Sequence, residues 1–155
     1  MTATADVLDD HPDAAVCTLA LRSFGGRPSF SGEIATVRCH EDNVLLKARL
    51  GEPGEGRVLV VDAGGSTRVA VMGDLIATLA RDNGWAGVVI NGCVRDVSTL
   101  RDLDIGVKAL GSNPRPSGKT GAGEVDVPVR FGDVDFLPAA TVYVDEDGVV
   151  VIGSR

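Results

Sequence analysis

Three charged residues at the starts of two predicted helices have the side chains of a small catalytic or binding site. Asp74 follows Gly73, and Arg95 and Asp96 stand side by side after a further twenty residues. Carboxylate oxygens are the ligands that Mg²⁺ prefers, and a guanidinium can bind an anion next to them. The residue types therefore predict a metal-and-anion site, provided that the fold brings the two stretches together.

The order of elements over residues 69–104 meets that condition. The pattern reads as strand, tight turn, helix, strand, tight turn, helix, with Gly73-Asp74 in the first turn and Asn91-Gly92 in the second. In a parallel βαβ unit both turns reach the same edge of the sheet, which is where open α/β folds bind ligands. We expect the three charged residues to meet there, beside a helix N-terminus.

Each of these residues also has a purely structural explanation. Asp74 or Asp96 could cap a helix, where a negative charge interacts favourably with the helix dipole, and Arg95 could be a surface charge. The three explanations together are weaker, because charges gathered at the ends of adjacent elements are costly without a ligand to balance them. The joint arrangement favours a functional site.

The composition indicates one globular domain. The chain has 155 residues, of which 44% are hydrophobic, 24% charged and 4% aromatic, so we expect a core of aliphatic residues on buried strands. A net charge of −7 without a dense basic stretch argues against direct binding of nucleic acid. No apolar run reaches the ~20 residues that a membrane span requires, so no membrane partner is expected.

The cysteines and the first residues predict a cytoplasmic protein. Cys17, Cys39 and Cys93 form no CxxC pair, and their odd number favours free thiols in a reducing compartment. The first residues are acidic and lack the apolar core of a signal peptide.

The remaining periodicity places further elements around the 69–104 stretch. Residues 14–21 fit either a strand or a helix, residues 23–32 read as a loop, and residues 111–123 read as a mobile flap or a subunit-contact loop. We predict helices at 4–10, 43–50 and 73–83 with a further helix after Asp96, and strands at 33–39, 58–61, 69–72, 87–90, 107–110, 125–131, 134–136, 141–144 and 149–152.

Other candidate motifs give weaker evidence of a functional site. The glycine-rich turn at 62–66 lacks both the GxGxxG spacing and a following helix, which argues against a dinucleotide site and a methyl-donor site. Gly118-Lys119-Thr120 matches the end of a P-loop, but Asn113 stands where that motif needs glycine. The acidic turn at 145–148 favours a solvated hairpin tip over a cation site. The two histidines, His11 and His40, lack ligand spacing and are expected at the surface.

With these residues in view, the chain resembles the RraA-like family, which contains class II 4-hydroxy-4-methyl-2-oxoglutarate (HMG) aldolases and protein regulators of ribonuclease E activity. The most specific match is the motif of Asp74, Arg95 and Asp96, and the resemblance also covers FGGRPSFSG, RVLVVDAGGS, GDLIATLARDNGWAGVVINGCVRDV and LDIGVKALGSNP. It implies a single RraA-like domain over residues 1–155. The implied fold is a swivelling-domain-like α/β/β sandwich, assembled as a homotrimer that is sometimes paired into hexamers.

The resemblance also implies roles for the motif. Asp96 would ligate Mg²⁺ or Mn²⁺, Asp74 would hold metal-bound water, and Arg95 would contact the keto or enolate oxygen of the substrate. The substrate carboxylate would be received by the backbone amides of Gly73, Asp74, Leu75 and Ile76.

The implied activity is a metal-dependent lyase that cleaves HMG, a small 2-keto acid, to pyruvate through a pyruvate enolate. Oxaloacetate decarboxylation would follow from the same intermediate. No lysine lies within the motif, which favours a metal over a Schiff base. The family also offers an alternative, a non-catalytic regulator that binds and inhibits ribonuclease E. The length of the chain is closer to the regulators, and the motif is closer to the enzymes.

Overall fold

A computed structural model describes residues 2–153, in which short strands alternate with a few helices. The helices are α1 (Thr4–Asp10), α2 (Val44–Leu50), α3 (Asp74–Asp82) and α4 (Val97–Leu100). The strands are β1 (Ala15–Val16), β2 (Arg22–Ser23), β3 (Phe30–Arg38), β4 (Val58–Asp62), β5 (Ala70–Met72), β6 (Gly87–Val94), β7 (Gly106–Ser112), β8 (Glu124–Val125), β9 (Val129–Phe131), β10 (Val134–Phe136), β11 (Thr141–Asp145) and β12 (Gly148–Ile152).

Within residues 2–153, ten of the strands form one mixed sheet. Eight follow the order β1-β12-β11-β3-β4-β6-β7-β2, while β5 joins β6 and β8 joins β3. The centre of the sheet, β3-β4-β6-β7, is parallel, and β5 is parallel to β6. The flanking strands are antiparallel to their neighbours. This arrangement supplies the parallel βαβ unit that the sequence predicts around α3.

Two apolar cores cover the two faces of the sheet. Leu59 and Val61 belong to one core with residues of α2, α3 and α4, whereas Val58 and Val60 belong to the other with residues of β9 and β10. Alternate residues of a strand point to opposite faces, so the helices and the β9-β10 hairpin lie on opposite sides. The expected α/β/β sandwich is confirmed.

Several local predictions are confirmed. Helix α3 ends at Asp82 with Asn83 as its C-cap, and the next residue, Gly84, has a left-handed φ of +80°. The cysteines are free and buried, and burial raises the pKa of Cys39 to about 12. His11 and His40 are exposed.

In the described residues no helix is both long and apolar enough to cross a membrane.

The predicted boundaries of two strands are wrong. The strand expected at 125–131 is interrupted, because Asp126 has a φ of +57° and Pro128 cannot donate to a strand partner. The loop expected at 23–32 is too long, since β3 already begins at Phe30, whose ring packs over Gly87 and Gly106.

The turn expected at Asn91-Gly92 is also wrong, because β6 continues through it to Val94. The first part of β6 pairs with β4 and its end pairs with β5, while its pairing with β7 is irregular between Ile90 and Cys93. Gly92 permits this path, since a Cβ there would lie 2.8 Å from the Cβ of Ala63.

The N-cap of α1 is neither Thr4 nor Asp6, the two residues near its start whose side chains favour that position. Ala3 occupies the N-cap position, and the carboxylate of Asp145 accepts hydrogen bonds from the Thr4 N–H (2.8 Å) and the Thr4 hydroxyl (2.7 Å). Although burial opposes the charge, these hydrogen bonds hold the pKa of Asp145 below its ordinary value. The acidic hairpin turn therefore has a structural role in holding α1.

Candidate active site

The structure brings the two halves of the motif together at the ends of β5 and β6. Met72 pairs with Val94 in the parallel ladder, and the backbone N–H of Arg95 donates to the Met72 carbonyl at 3.0 Å. The chain leaves both strands at the same edge of the sheet. Gly73 and Asp74 consequently lie beside Arg95 and Asp96.

Asp96 makes the central contact of this site. It occupies the N-cap position of α4 in a left-handed conformation (φ 60°, ψ 42°), but its side chain does not cap that helix. Instead its Oδ2 atom accepts a hydrogen bond from the Asp74 N–H at 3.1 Å. The carboxylate is thus held at the positive end of the α3 dipole, in a backbone conformation that is unfavourable for a non-glycine residue.

Gly73 leaves room for that carboxylate. Its backbone is extended (φ −127°, ψ −158°), so another residue could adopt the same conformation. A Cβ on Gly73, however, would lie 2.4 Å from Asp96 Oδ2 and 3.2 Å from Arg95 Cγ. Glycine is therefore required by space rather than by backbone conformation.

Arg95 and Asp96 open onto a cavity of about 260 Å³. Both side chains are exposed, and Arg95 Nη1 donates a long hydrogen bond of 3.4 Å to the Pro114 carbonyl. The remaining guanidinium donors can bind an anion. One wall of the cavity consists of Arg95, Asp96 and Val97, and the other consists of Ser112, Asn113 and Pro114.

Sequence reasoning missed the second wall. Ser112 ends β7, which is the parallel neighbour of β6, so its carboxyl end reaches the same edge of the sheet. The order of the strands would have identified this segment, but that order is not visible in a local pattern. Asp74 is not among the residues that line the cavity. It takes part in the site through its backbone N–H, which donates the hydrogen bond that holds the Asp96 carboxylate.

The start of α3 also offers backbone donors. The first amides of a helix have no intrahelical acceptor, and here the amide of Asp74 is used by Asp96. The amides of Leu75 and Ile76 follow in the same turn. The Leu75 side chain is 81% exposed, so this end of the helix is open to solvent.

The donor set fits a cation that keeps most of its water. Among residues 2–153 there is no group of three or more His, Cys, Asp or Glu side chains that could enclose a metal ion. Mg²⁺ is commonly held through one or two carboxylates and several waters. The carboxylate of Asp96 suits this mode, because Oδ2 is fixed by an amide while Oδ1 makes no hydrogen bond within the described part of the chain.

The glycine-rich turn after β4 supports the neighbouring strand end. Asp62 Oδ1 accepts hydrogen bonds from the Gly64 N–H (3.0 Å) and from Asn91 Nδ2 (3.1 Å), and Gly64 and Gly65 both have left-handed φ values. The next element is strand β5 rather than a helix. The turn therefore lacks the helix start that a dinucleotide or P-loop site requires.

Comparison with known proteins identifies the class to which this fold and site belong. The chain belongs to the RraA-like family, because the family model described as Aldolase/RraA matches residues 4–151. The family includes both aldolase or lyase members and ribonuclease E inhibitors.

Two solved structures are similar to the chain over nearly its whole length. One is described as an S-adenosylmethionine:2-dimethylmenaquinone methyltransferase from Geobacillus kaustophilus, with 47% identity and a TM-score of 0.97, covering 99% of this chain and 96% of that one. The other is the RNA-processing inhibitor RraA from Thermus thermophilus, with 43% identity and a TM-score of 0.95, covering 98% and 93%.

A third structure is more distant. It is described as an unusual member of the RNase ES inhibitor RraA protein family from Streptomyces coelicolor. Its identity is 28% and its TM-score is 0.77, over 96% of this chain and 77% of that one. The names of these neighbours thus point to different activities on one fold, and the function has to be argued from the site.

Proposed function

We propose that this chain is a divalent-metal-dependent lyase that cleaves HMG to pyruvate and also decarboxylates oxaloacetate. One observation carries the proposal: the Asp96 carboxylate is fixed on the N-terminus of α3, next to the Arg95 guanidinium and open to a cavity. A cation site and an anion site side by side suit a ligand that carries a carboxylate next to a keto group.

In this proposal, different residues of the chain act on different groups of the substrate. In both substrates the bond between C3 and C4 breaks, and its electron pair moves toward the C2 keto oxygen to give the enolate of pyruvate. The other fragment leaves as CO₂ from oxaloacetate, or as a second pyruvate from HMG, whose 4-hydroxyl proton passes to solvent. A proton from solvent then converts the enolate to pyruvate. Arg95 would place a fixed positive charge at that oxygen. The amides of Leu75 and Ile76 would bind the carboxylate, since the start of a helix favours anions.

Asp96 would hold Mg²⁺ or Mn²⁺, with Asp74 facing the water around the ion. The bound ion would act as a Lewis acid that polarises the keto and carboxylate oxygens. Both aspartates lie at the start of α3 or in hydrogen-bond contact with it. The proximity of the two aspartates supports the roles that the family resemblance implies for them.

Pyruvate release tests the proposal. Wild-type protein with Mg²⁺ or Mn²⁺ should form pyruvate from HMG and from oxaloacetate faster than the metal alone, and Asp96→Ala should abolish this activity. Arg95→Ala should reduce kcat about 100-fold, as expected when one group that stabilises developing charge is removed.

Arg101 and Asp102 provide a matched control. They repeat the Arg-Asp pair six positions further on, and both are exposed. Arg101→Ala and Asp102→Ala should keep wild-type turnover. If wild-type protein with metal releases no more pyruvate than the metal alone, the proposed function is wrong.

A regulator of ribonuclease E is the second candidate. It is favoured by the 43% identity to an RNA-processing inhibitor over 93% of that protein. A chain with a net charge of −7 can associate with a basic surface, and added salt would weaken the complex. Binding to ribonuclease E that is sensitive to salt and indifferent to Asp96→Ala would support this role.

We expect a homotrimer in solution, or a hexamer formed from two trimers, which sedimentation analysis would measure.

A methyltransferase has less support, because the glycine-rich turn after β4 leads into a strand. Titration with S-adenosylmethionine should give no binding signal.

A further inference from the structure

Asn113 fastens the loop that forms the second wall of the cavity. Its Nδ2 atom donates to the Thr67 carbonyl at 2.7 Å, and its Oδ1 atom accepts from the Arg115 N–H at 2.9 Å. Its backbone N–H donates to the Val94 carbonyl at 3.0 Å. One half-buried residue thus joins the end of β6, the loop before β5 and its own turn.

The residue after Asn113 contacts the side chain of Arg95. The Pro114 carbonyl accepts a hydrogen bond from Arg95 Nη1, and at 3.4 Å this bond guides the guanidinium without locking it. Proline has no N–H group of its own and restricts the residue before it to extended conformations. The direction of the Pro114 carbonyl therefore depends on how Asn113 is anchored.

The following part of the loop, residues 115–116, is fixed to strand β5. The backbone N–H of Ala70 in β5 donates to the Arg115 carbonyl at 2.7 Å, and Ala70 also forms an isolated bridge with Pro116. Residues 113–116 are consequently held against β5 and its preceding loop. The Asn113 amide is the side chain that ties this wall to Thr67.

We infer that Asn113 is a positioning residue, which acts through the Pro114 carbonyl to aim the Arg95 guanidinium at a carboxylate-bearing ligand in the cavity. The inference rests on the proposed function for its kinetic test and extends that function to a residue outside the Asp-Arg-Asp motif. Asn113 itself would not touch the reacting atoms.

Asn83 offers a matched control for a kinetic test. Its side chain also donates to a backbone carbonyl, that of Leu79, at 2.8 Å, and it is also half-buried, but it lies at the far end of α3. Asn113→Ala should lower kcat/KM for pyruvate release from oxaloacetate about tenfold, while Asn83→Ala leaves it unchanged. Thermal melting should shift to a similar extent in both variants.

A double variant separates positioning from a general structural effect. If Asn113 acts through Arg95, the variant Arg95→Ala/Asn113→Ala should be no slower than Arg95→Ala alone. Should the two losses multiply, the inference is overturned. Asn113→Asp keeps the acceptor for the Arg115 N–H and removes the donor to Thr67, so it replaces Asn113→Ala if that variant does not fold.

Chemical labelling gives a readout that needs no turnover. Phenylglyoxal should modify Arg95 about threefold faster in Asn113→Ala than in the wild type, because the guanidinium loses one hydrogen bond, while Arg101 reacts equally in both. Mass spectrometry of the labelled peptides measures both rates. If wild-type protein releases no pyruvate, the proposed function fails and labelling alone decides the inference; equal labelling of Arg95 would overturn it.

Discussion

The substitution Gly73→Ala perturbs the site at one point. The added methyl group would lie 2.4 Å from Asp96 Oδ2, against a separation of at least 3.4 Å for an ordinary contact. The carboxylate must therefore move by about 1 Å, which breaks its 3.1 Å hydrogen bond with the Asp74 N–H.

The expected effect is large on function and small on stability. A displacement of about 1 Å at a catalytic group can reduce the rate about 100-fold. A cation held by a carboxylate that is no longer fixed should bind about tenfold more weakly, which corresponds to about 1.4 kcal/mol of binding free energy. The extended backbone of Gly73 accepts alanine, so the free energy of unfolding should change by less than about 1 kcal/mol.

The assay combines pyruvate release, Mn²⁺ titration and thermal melting of the same preparations. Gly51→Ala is the matched control, because Gly51 has a φ of −76° and a Cβ there would meet its nearest atom at 3.4 Å. This control should keep wild-type turnover. If Gly73→Ala binds Mn²⁺ and turns over like the wild type, the fixed position of Asp96 is irrelevant and the reasoning is refuted.

Two other predictions concern stability. Asp145→Ala should lower the free energy of unfolding by about 1–2 kcal/mol in urea, because the start of α1 loses both hydrogen bonds to Thr4. Hydrogen bonds from Arg68 and Ser66 lower the pKa of Glu41 from 4.5 to about 2. Glu41 therefore contributes stability that is complete above about pH 4.5 and is lost as the pH falls toward 2, and Glu41→Gln should flatten the pH dependence of unfolding in that window.

Each of these predictions has a control. Glu146→Ala removes an exposed acidic side chain of the same hairpin turn, and it should leave the urea midpoint unchanged. Equal midpoints for Asp145→Ala and Glu146→Ala would contradict the capping role. Glu55→Gln, at an exposed position, should keep the wild-type pH dependence of unfolding. The same unchanged pH dependence in Glu41→Gln would contradict the role given to the contacts of Glu41 with Arg68 and Ser66.

The elements that depend on local pattern could be predicted from the sequence. The apolar stripe of α3 and the Asn83-Gly84 pair at its end define that helix, and the runs of branched residues define β4 and β12. Their physical causes, helical periodicity and the left-handed freedom of glycine, lie within a few residues of each position.

The errors occur where distant contacts override local preference. Asn-Gly is a strong turn pair, but Gly92 lies against Ala63 and the strand continues because β5 is there to pair with it. The cap of α1 comes from Asp145, which is far away in the sequence. No local pattern contains either contact.

In the site, too, some features follow from the local sequence and others depend on distant contacts. The spacing between Asp74 and Arg95 predicts that the ends of the two strands meet, since it reflects one helix and one strand. Local reasoning allowed Asp96 to cap its own helix, whereas its side chain bonds the start of α3. The wall formed by Ser112, Asn113 and Pro114 depends on the order of strands β6 and β7, so only the folded structure reveals it.

Direct measurement of metal binding tests the central claim that Asp96, fixed on α3, holds a divalent cation beside Arg95. Titration of the wild type with Mn²⁺, followed by electron paramagnetic resonance, should show one bound ion per chain, and Asp96→Ala should lose it while Asp102→Ala keeps it. Absence of bound Mn²⁺ in the wild type, or unchanged binding in Asp96→Ala, would contradict the claim.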